Sequence, residues 1–233
     1  MNRVVKTILY FSCILLFAST NCFAFAILGN ATTATMNSGI NRPANFAGGA
    51  FTLTTNLGDV YDTFCVEWEE HISFNTPYTI DSVENYANSG GGGGIDGNNG
   101  ASKVNGEYRD YLSIETKWLM NAYVNDGLKN QYASYGGQAL GGAMQVAIWS
   151  LEEEYYWGSY DNSYGTLANE LIQLAQQSAA GLDASLFNNV KVVNLAGAQS
   201  QIIAAPVPEP ATMLLLGTGL IGLAGLGRKK FCK

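Results

Sequence analysis

Residues 51–67 read Phe-Thr-Leu-Thr-Thr-Asn-Leu-Gly-Asp-Val-Tyr-Asp-Thr-Phe-Cys-Val-Glu. Two short runs rich in β-branched and aromatic residues, Phe51-Thr52-Leu53-Thr54 and Tyr61 to Val66, flank the turn formers Leu57-Gly58-Asp59, so this stretch is predicted to be β. The same character extends from Ile27 to about Ile80. Beyond it, Ser89 to Gly100 carries five consecutive glycines and Asp96-Gly97-Asn98-Asn99-Gly100. So much glycine costs a packed element too much backbone entropy, and a surface loop is expected. A calcium loop would need more carboxylates than the single Asp96 supplies.

The pattern then changes period. Tyr108 to Val124 places Leu112, Leu119 and Tyr123, and also Tyr111, Trp118 and Ala122, at helical spacing, ending at Asn125-Asp126-Gly127. Gly137 to Glu153 repeats the pattern through Leu140, Met144, Ala147, Ile148 and Leu151. Tyr164 to Ala180 gives a third helix, with Leu167, Leu171, Leu174 and Ala175 before Gly181, and Val190 to Leu195 reads as a closing strand. Strands, then helices, then strand predict an α+β domain: an N-terminal β-sheet or barrel with an inserted helical subdomain.

The two ends differ from the body. Met1 to Ala26 has Arg3 and Lys6, the apolar run Ile8 to Ala18 and a small-residue site at Ala24-Phe25-Ala26, the plan of a secretory signal peptide, with the mature chain starting at Ile27. Reading Cys22 as a lipidated cysteine is disfavoured, because Ser19-Thr20-Asn21 lacks the apolar and small residues that should precede it. At the other end, 211–227 is almost wholly apolar and is followed by Arg228, Lys229, Lys230 and Lys233, as expected of a short transmembrane helix stopped by cytoplasmic basic residues. The expected divisions are therefore a signal peptide at 1–26, an exported domain at 27–205 and a terminal segment at 206–233.

Just before the apolar run stands Val207-Pro208-Glu209-Pro210. A Pro-Glu-Pro triplet, a hydrophobic span and a basic end in this order resemble the PEP-CTERM sorting signal, with Pro208, Glu209, Pro210, Arg228, Lys229 and Lys230 as its elements. The resemblance implies handling by an exosortase-type enzyme, export through the inner membrane of a Gram-negative bacterium that makes exopolysaccharide, a C-terminal membrane anchor, and delivery to the cell surface or extracellular matrix.

Charge and cysteine usage narrow the function. The 12 basic and 19 acidic residues leave six against eighteen in the exported part, a formal charge of -12. Such a surface has no basic patch for a phosphate backbone, so nucleic acid is excluded as a partner. Of Cys13, Cys22, Cys65 and Cys232, only Cys65 remains in the exported domain. A solitary thiol in an oxidising compartment is buried and inert, paired with another chain, or committed to other chemistry.

Phe64-Cys65-Val66-Glu67 and Met144-Gln145-Val146-Ala147-Ile148-Trp149 together resemble the motifs of bacterial surface thioester domains. Met144 and Glu67 depart from the residues often found there, but neither removes a reacting atom. The resemblance implies an internal thioester between Cys65 and Gln145, with Phe64, Ile148 and Trp149 as its apolar cover. It implies an adhesin that attaches covalently to amine-bearing targets on a protein or polysaccharide surface, without a cofactor or metal, rather than an enzyme. The alternative is a non-covalent structural or carbohydrate-binding matrix protein in which Cys65 is buried and unreactive. A cysteine protease is disfavoured because His71, the only histidine, has no protease context. Glu67, Glu69, Glu70 and Glu152-Glu153-Glu154 read as solvated surface charges, although paired carboxylates could in principle serve glycoside hydrolysis.

Overall fold

The computed structural model describes residues 31–44, 46, 48–68, 70–88, 101–104, 107–154 and 164–205, with side chains described outside 101–108. Among the described residues, nine strands run in chain order as β1 (Thr33–Asn37), β2 (Phe51–Thr55), β3 (Val60–Cys65), β4 (Pro77–Glu84), β5 (Tyr86–Asn88), β6 (Ala101–Val104), β7 (Glu107–Tyr111), β8 (Val190–Leu195) and β9 (Ala198–Ala204). Between β7 and β8 lie the helices α1 (Ile114–Val124), α2 (Gly127–Gln131), α3 (Gly137–Leu151) and α4 (Gly165–Ala179). Six strands close an antiparallel barrel in the order β1-β2-β3-β9-β8-β4, and β5-β7-β6 form a small separate sheet. The helices are inserted between β4 and β8, which pair directly. The α+β barrel with a helical insert is therefore observed.

Alternation divides the core into two layers. In β2, Phe51, Leu53 and Thr55 are buried while Thr52 and Thr54 are half-buried, the period-2 pattern of a strand with one face inward. Ala34, Met36, Phe51, Leu53, Cys65, Val193, Leu195 and Ile203 fill the barrel, whereas Phe64, Val192 and Ile202 join the core made with α1, α3 and α4. Strand β9 is buried along its whole length, because one face lines the barrel and the other meets the helices.

Several elements differ from the sequence expectation: the strands β5 and β6 and the short helix α2 are not among the predicted elements, and two others are informative. Residues 108–111 are strand, since β7 is paired on both sides by β5 and β6; the helix starts only after Ser113, whose side chain accepts from the Thr116 N–H as an N-cap. The second strand of the closing hairpin, β9, escaped the pattern because burial on both faces removes the alternation that marks a strand. The expected signal peptide, the 211–227 helix and the loop centred on residues 90–100 lie outside the described residues. Among the described residues, no helix is long and apolar enough to cross a membrane.

Candidate functional site

Cys65 is the last residue of β3, at a point where its ladder loses a strand. Pairing between β2 and β3 ends at Phe51↔Thr63, because the chain before Phe51 leaves the barrel. On the opposite edge the ladder continues: Cys65 faces Gln201 of β9, and the Val66 N–H donates to the Ser200 carbonyl. The backbone groups of Cys65 on the vacated edge are taken by a side chain. The Cys65 N–H donates to Gln145 Oε1 at 3.0 Å, and Gln145 Nε2 donates to the Cys65 carbonyl at 2.8 Å. Gln145 is fully buried, and its carboxamide supplies both the donor and the acceptor that a missing strand would have provided.

The helix α3 holds that carboxamide by spacing. Gly141, Gln145 and Trp149 are four residues apart and share one face, and Asn41, Gly48 and Ala50 pass close to that face. A Cβ on Gly141 would strike the Asn41 carbonyl, and one on Gly48 would strike Gln145 Cγ and come within 2.6 Å of the Trp149 ring. Glycine at 48 and 141 is thus a packing requirement, and Gly48 lies directly over the Gln145–Trp149 pair.

The sulfur of Cys65 faces a second carboxamide. Gln201 Nε2 lies 3.6 Å from Cys65 Sγ and also donates to the Gln199 carbonyl at 3.2 Å, while Thr63 Oγ1 donates to Gln201 Oε1 at 3.5 Å. Burial pushes the Cys65 thiol up to about 12, partly opposed by the Gln201 hydrogen bond and reinforced by the charge of Glu67. Glu67 is itself fully buried, and desolvation raises its carboxyl to about 7 although Oε2 accepts from the Ser200 N–H at 2.7 Å. The Glu67 carbonyl accepts from Trp149 Nε1 at 3.3 Å and from Gln199 Nε2.

A half-open cleft of about 560 Å3 leads to this corner of the barrel. Its walls include Phe51, Trp68, Phe74 and Trp149, with Cys65 on its lining. Trp68 packs edge-on against Trp149 with ring centroids 4.7 Å apart, and the Arg42 guanidinium lies 5.1 Å from the Phe74 ring centroid. Glu70 and His71 line both this cleft and a smaller one of about 370 Å3 that also meets Asp81, Asn194 and Ser200. The Cys65 corner is therefore buried but reached from one aromatic side.

The structure brings Cys65, Gln145 and Trp149 together and separates them from Phe64 and Ile148. Strand alternation turns Phe64 to the opposite face of β3, where its ring meets Tyr123 at 5.1 Å, and Ile148 packs in that same helical core. The acids read as surface charges are corrected in three cases. Glu67, Glu152 and Glu154 are buried, and each carboxylate accepts from a backbone N–H: Ser200 for Glu67, Ser113 for Glu152 and Trp68 for Glu154. Among the described residues, no group of three His, Cys, Asp or Glu side chains is placed to hold a metal ion. The sequence reading missed Gln201 and Gly48; the only hint was a pair of glutamines two apart in a run that is otherwise small or aliphatic.

The fold and site define an α+β barrel protein in which a buried cysteine, the only one among the described residues, is clasped by a helix glutamine. Residues 206–229 match the PEP-CTERM protein-sorting motif family, so the chain carries a signal that implies export, processing by an exosortase-type enzyme and a membrane-anchored surface location in Gram-negative bacteria. The residues of that motif lie outside the described residues. No curated protein matches the sequence. Among solved structures, the chain is similar to the N-terminal thioester domain of fibronectin-binding protein SfbI from Streptococcus pyogenes, at TM-score 0.44 and 13% identity, covering 76% of this chain and 95% of that one.

Proposed function

We propose that this protein is a surface-sorted adhesin, not an enzyme, that joins Cys65 to Gln145 as an internal thioester and spends it on an amine of an extracellular protein or polysaccharide. The observation that carries this reading is the clasp between the Gln145 carboxamide and Cys65, made at 3.0 and 2.8 Å inside a buried corner. In the forming step the Cys65 sulfur adds to Gln145 Cδ, the C–N bond breaks and ammonia leaves with the thiol proton. In the using step an amine adds to Cδ, the C–S bond breaks, and the proton lost by nitrogen returns to sulfur, giving an amide and a free thiol. Holding the partners in one geometry removes most of the entropic cost of the first step. Trp149 and Trp68 line the approach to the corner and limit the access of bulk water.

A second reading keeps Cys65 as an inert thiol and gives the aromatic cleft a non-covalent role in binding matrix carbohydrate. The rise of the Cys65 thiol to about 12 favours it, since a protonated sulfur is a poor nucleophile at neutral pH. The intact mass of the exported protein decides. Under the thioester reading it is one ammonia lighter than the sequence requires, methylamine restores one adduct at Gln145, and neither change occurs in Cys65→Ala or Gln145→Ala. A full mass with no methylamine adduct leaves the second reading.

A further inference from the structure

We infer that Gln201 is a catalytic residue of the thioester step, the donor that stabilises negative charge on the Cys65 sulfur as the acyl–sulfur bond breaks. The inference rests on the thioester reading and deepens it. Cys65 and Gln201 are directly opposite in the β3–β9 ladder, so their side chains project to the same face, into the barrel. Gln201 is fully buried, and its Nε2 points at Sγ from 3.6 Å.

A glutamine inside a barrel among Met36, Leu53 and Ile203 is not what packing alone selects, because a buried carboxamide loses free energy unless every polar atom is paired. Here both hydrogens of Nε2 have an acceptor in reach. Thr63 Oγ1 donates to Oε1, one Nε2 hydrogen goes to the Gln199 carbonyl, and the other is left for the sulfur. The single Thr63 hydroxyl hydrogen goes mainly to the Ile202 carbonyl at 2.7 Å, so its contact with Oε1 is the weaker one and the Gln199 carbonyl is what ties the Gln201 carboxamide to the β9 backbone. The carboxamide cannot rotate away without breaking these contacts. Gln145 and Gln201 thus divide the work around one cysteine: the first holds the backbone and carries the acyl carbon, and the second addresses the sulfur.

The chemistry needs such a group at that place. When an amine adds to Gln145 Cδ, the bond to Sγ breaks with its electron pair on sulfur, and the proton from the new amide nitrogen reaches that sulfur afterwards. Between those events a thiolate stands in a corner where burial strongly disfavours charge. The Gln201 N–H is the donor in contact with it, and a fixed donor aimed at developing charge acts without reorganising. The same contact helps ring formation, where the sulfur must give up its proton before it attacks.

Gln201→Met keeps the length of the side chain and removes the donor. The test follows the exported protein by intact mass during exposure to methylamine over a range of pH. Removal of a hydrogen bond to a charged group predicts an opening rate about tenfold to a hundredfold below wild type, at an unchanged site of modification. Gln201→Glu supplies the conservative partner: its protonated carboxyl can donate and its carboxylate repels a thiolate, so opening approaches the wild-type rate at low pH and falls away as the carboxyl titrates. A role in packing alone would not produce that profile. If Gln201→Met fails to fold, the pH profile of Gln201→Glu against wild type carries the test. A normal mass deficit with opening rates within about twofold of wild type in both variants overturns the role of Gln201 and leaves the thioester intact, whereas a wild-type protein with no mass deficit overturns the thioester reading and this role with it.

Discussion

Glu152 makes the stability of this fold depend on pH in an unusual direction. The residue caps the C-terminus of α3, is 6% exposed, and accepts from Ser113 Oγ at 2.6 Å and from the Ser113 N–H at 3.2 Å. Burial raises its carboxyl to about 7, with the charge of Asp110 adding to the shift, and the end of a helix is itself unfavourable for an anion. A carboxyl whose pKa is higher folded than unfolded binds its proton more tightly in the fold. Its contribution is fully present below pH 4.5 and is lost as pH rises to about 7. At 1.36 kcal/mol per pKa unit, the interval from 4.5 to about 7 corresponds to about 3 kcal/mol at most. Lys117, which faces the same carboxylate, is lowered by burial and by the charge of Lys191. Glu152→Gln keeps an oxygen for the Ser113 donors and cannot ionise. Urea unfolding of both proteins between pH 4.5 and 8 should give matching stabilities at the acid end, with the variant about 3 kcal/mol the more stable at pH 8. Wild type should lose further stability over the same interval, because Glu67 and Asp110 are also raised to about 7 by burial. Parallel curves for the two proteins, or a wild type that gains stability from pH 5 to 8, would refute the reasoning.

Two contrasts test the placement of the site. Gly48→Val should destabilise by about 1–3 kcal/mol, because its side chain enters the space of Gln145 and Trp149, whereas Gly58→Ala meets nothing within 4 Å and bears only the strain of φ +91°; thermal melts of the pair should separate them. Phe64→Ala empties the helical core and should cost about 3–5 kcal/mol while leaving Cys65 as slow to alkylate as before. Trp149→Ala removes a wall of the cleft, so its mark is faster modification of Cys65 by iodoacetamide, read in both variants after methylamine has opened any thioester, and equal alkylation rates in the two would contradict the division of the core.

What could be read from the chain depended on whether a residue's neighbours are near in sequence. Helices α3 and α4 and strands β2, β3 and β8 carry their periodicity locally, and their apolar faces were legible. Strand β7 was not, because Tyr108 to Tyr111 sits beside a helical pattern and becomes extended only by pairing with β5 and β6. The acids failed for the same reason. Nothing near Glu67 in sequence announces the Ser200 N–H, which arrives from a strand 133 residues away. Cys65 and Gln145 were visible as motifs, but Gln201 reaches the sulfur through strand register, which no local pattern encodes.

The position of Gln145 also explains why its identity is demanding before any chemistry is considered. The vacated edge of β3 presents one donor and one acceptor from Cys65, and only a side chain offering both, at the right length, satisfies them from α3. Glutamate would set a carboxylate oxygen against the Cys65 carbonyl, and leucine would leave two buried backbone groups unpaired at about 1–3 kcal/mol each. Substitution at 145 therefore destabilises the protein before any thioester forms; closing the bond expels Nε2 as ammonia and gives up its hydrogen bond to the Cys65 carbonyl, so a change in stability at 145 does not by itself report the thioester. The mass of the protein does not share that ambiguity, because loss of ammonia requires the bond itself. The clasp that completes the barrel edge fixes the Gln145 carboxamide on the backbone of the same residue that carries the sulfur, and it is this shared residue that acyl transfer would draw on for proximity.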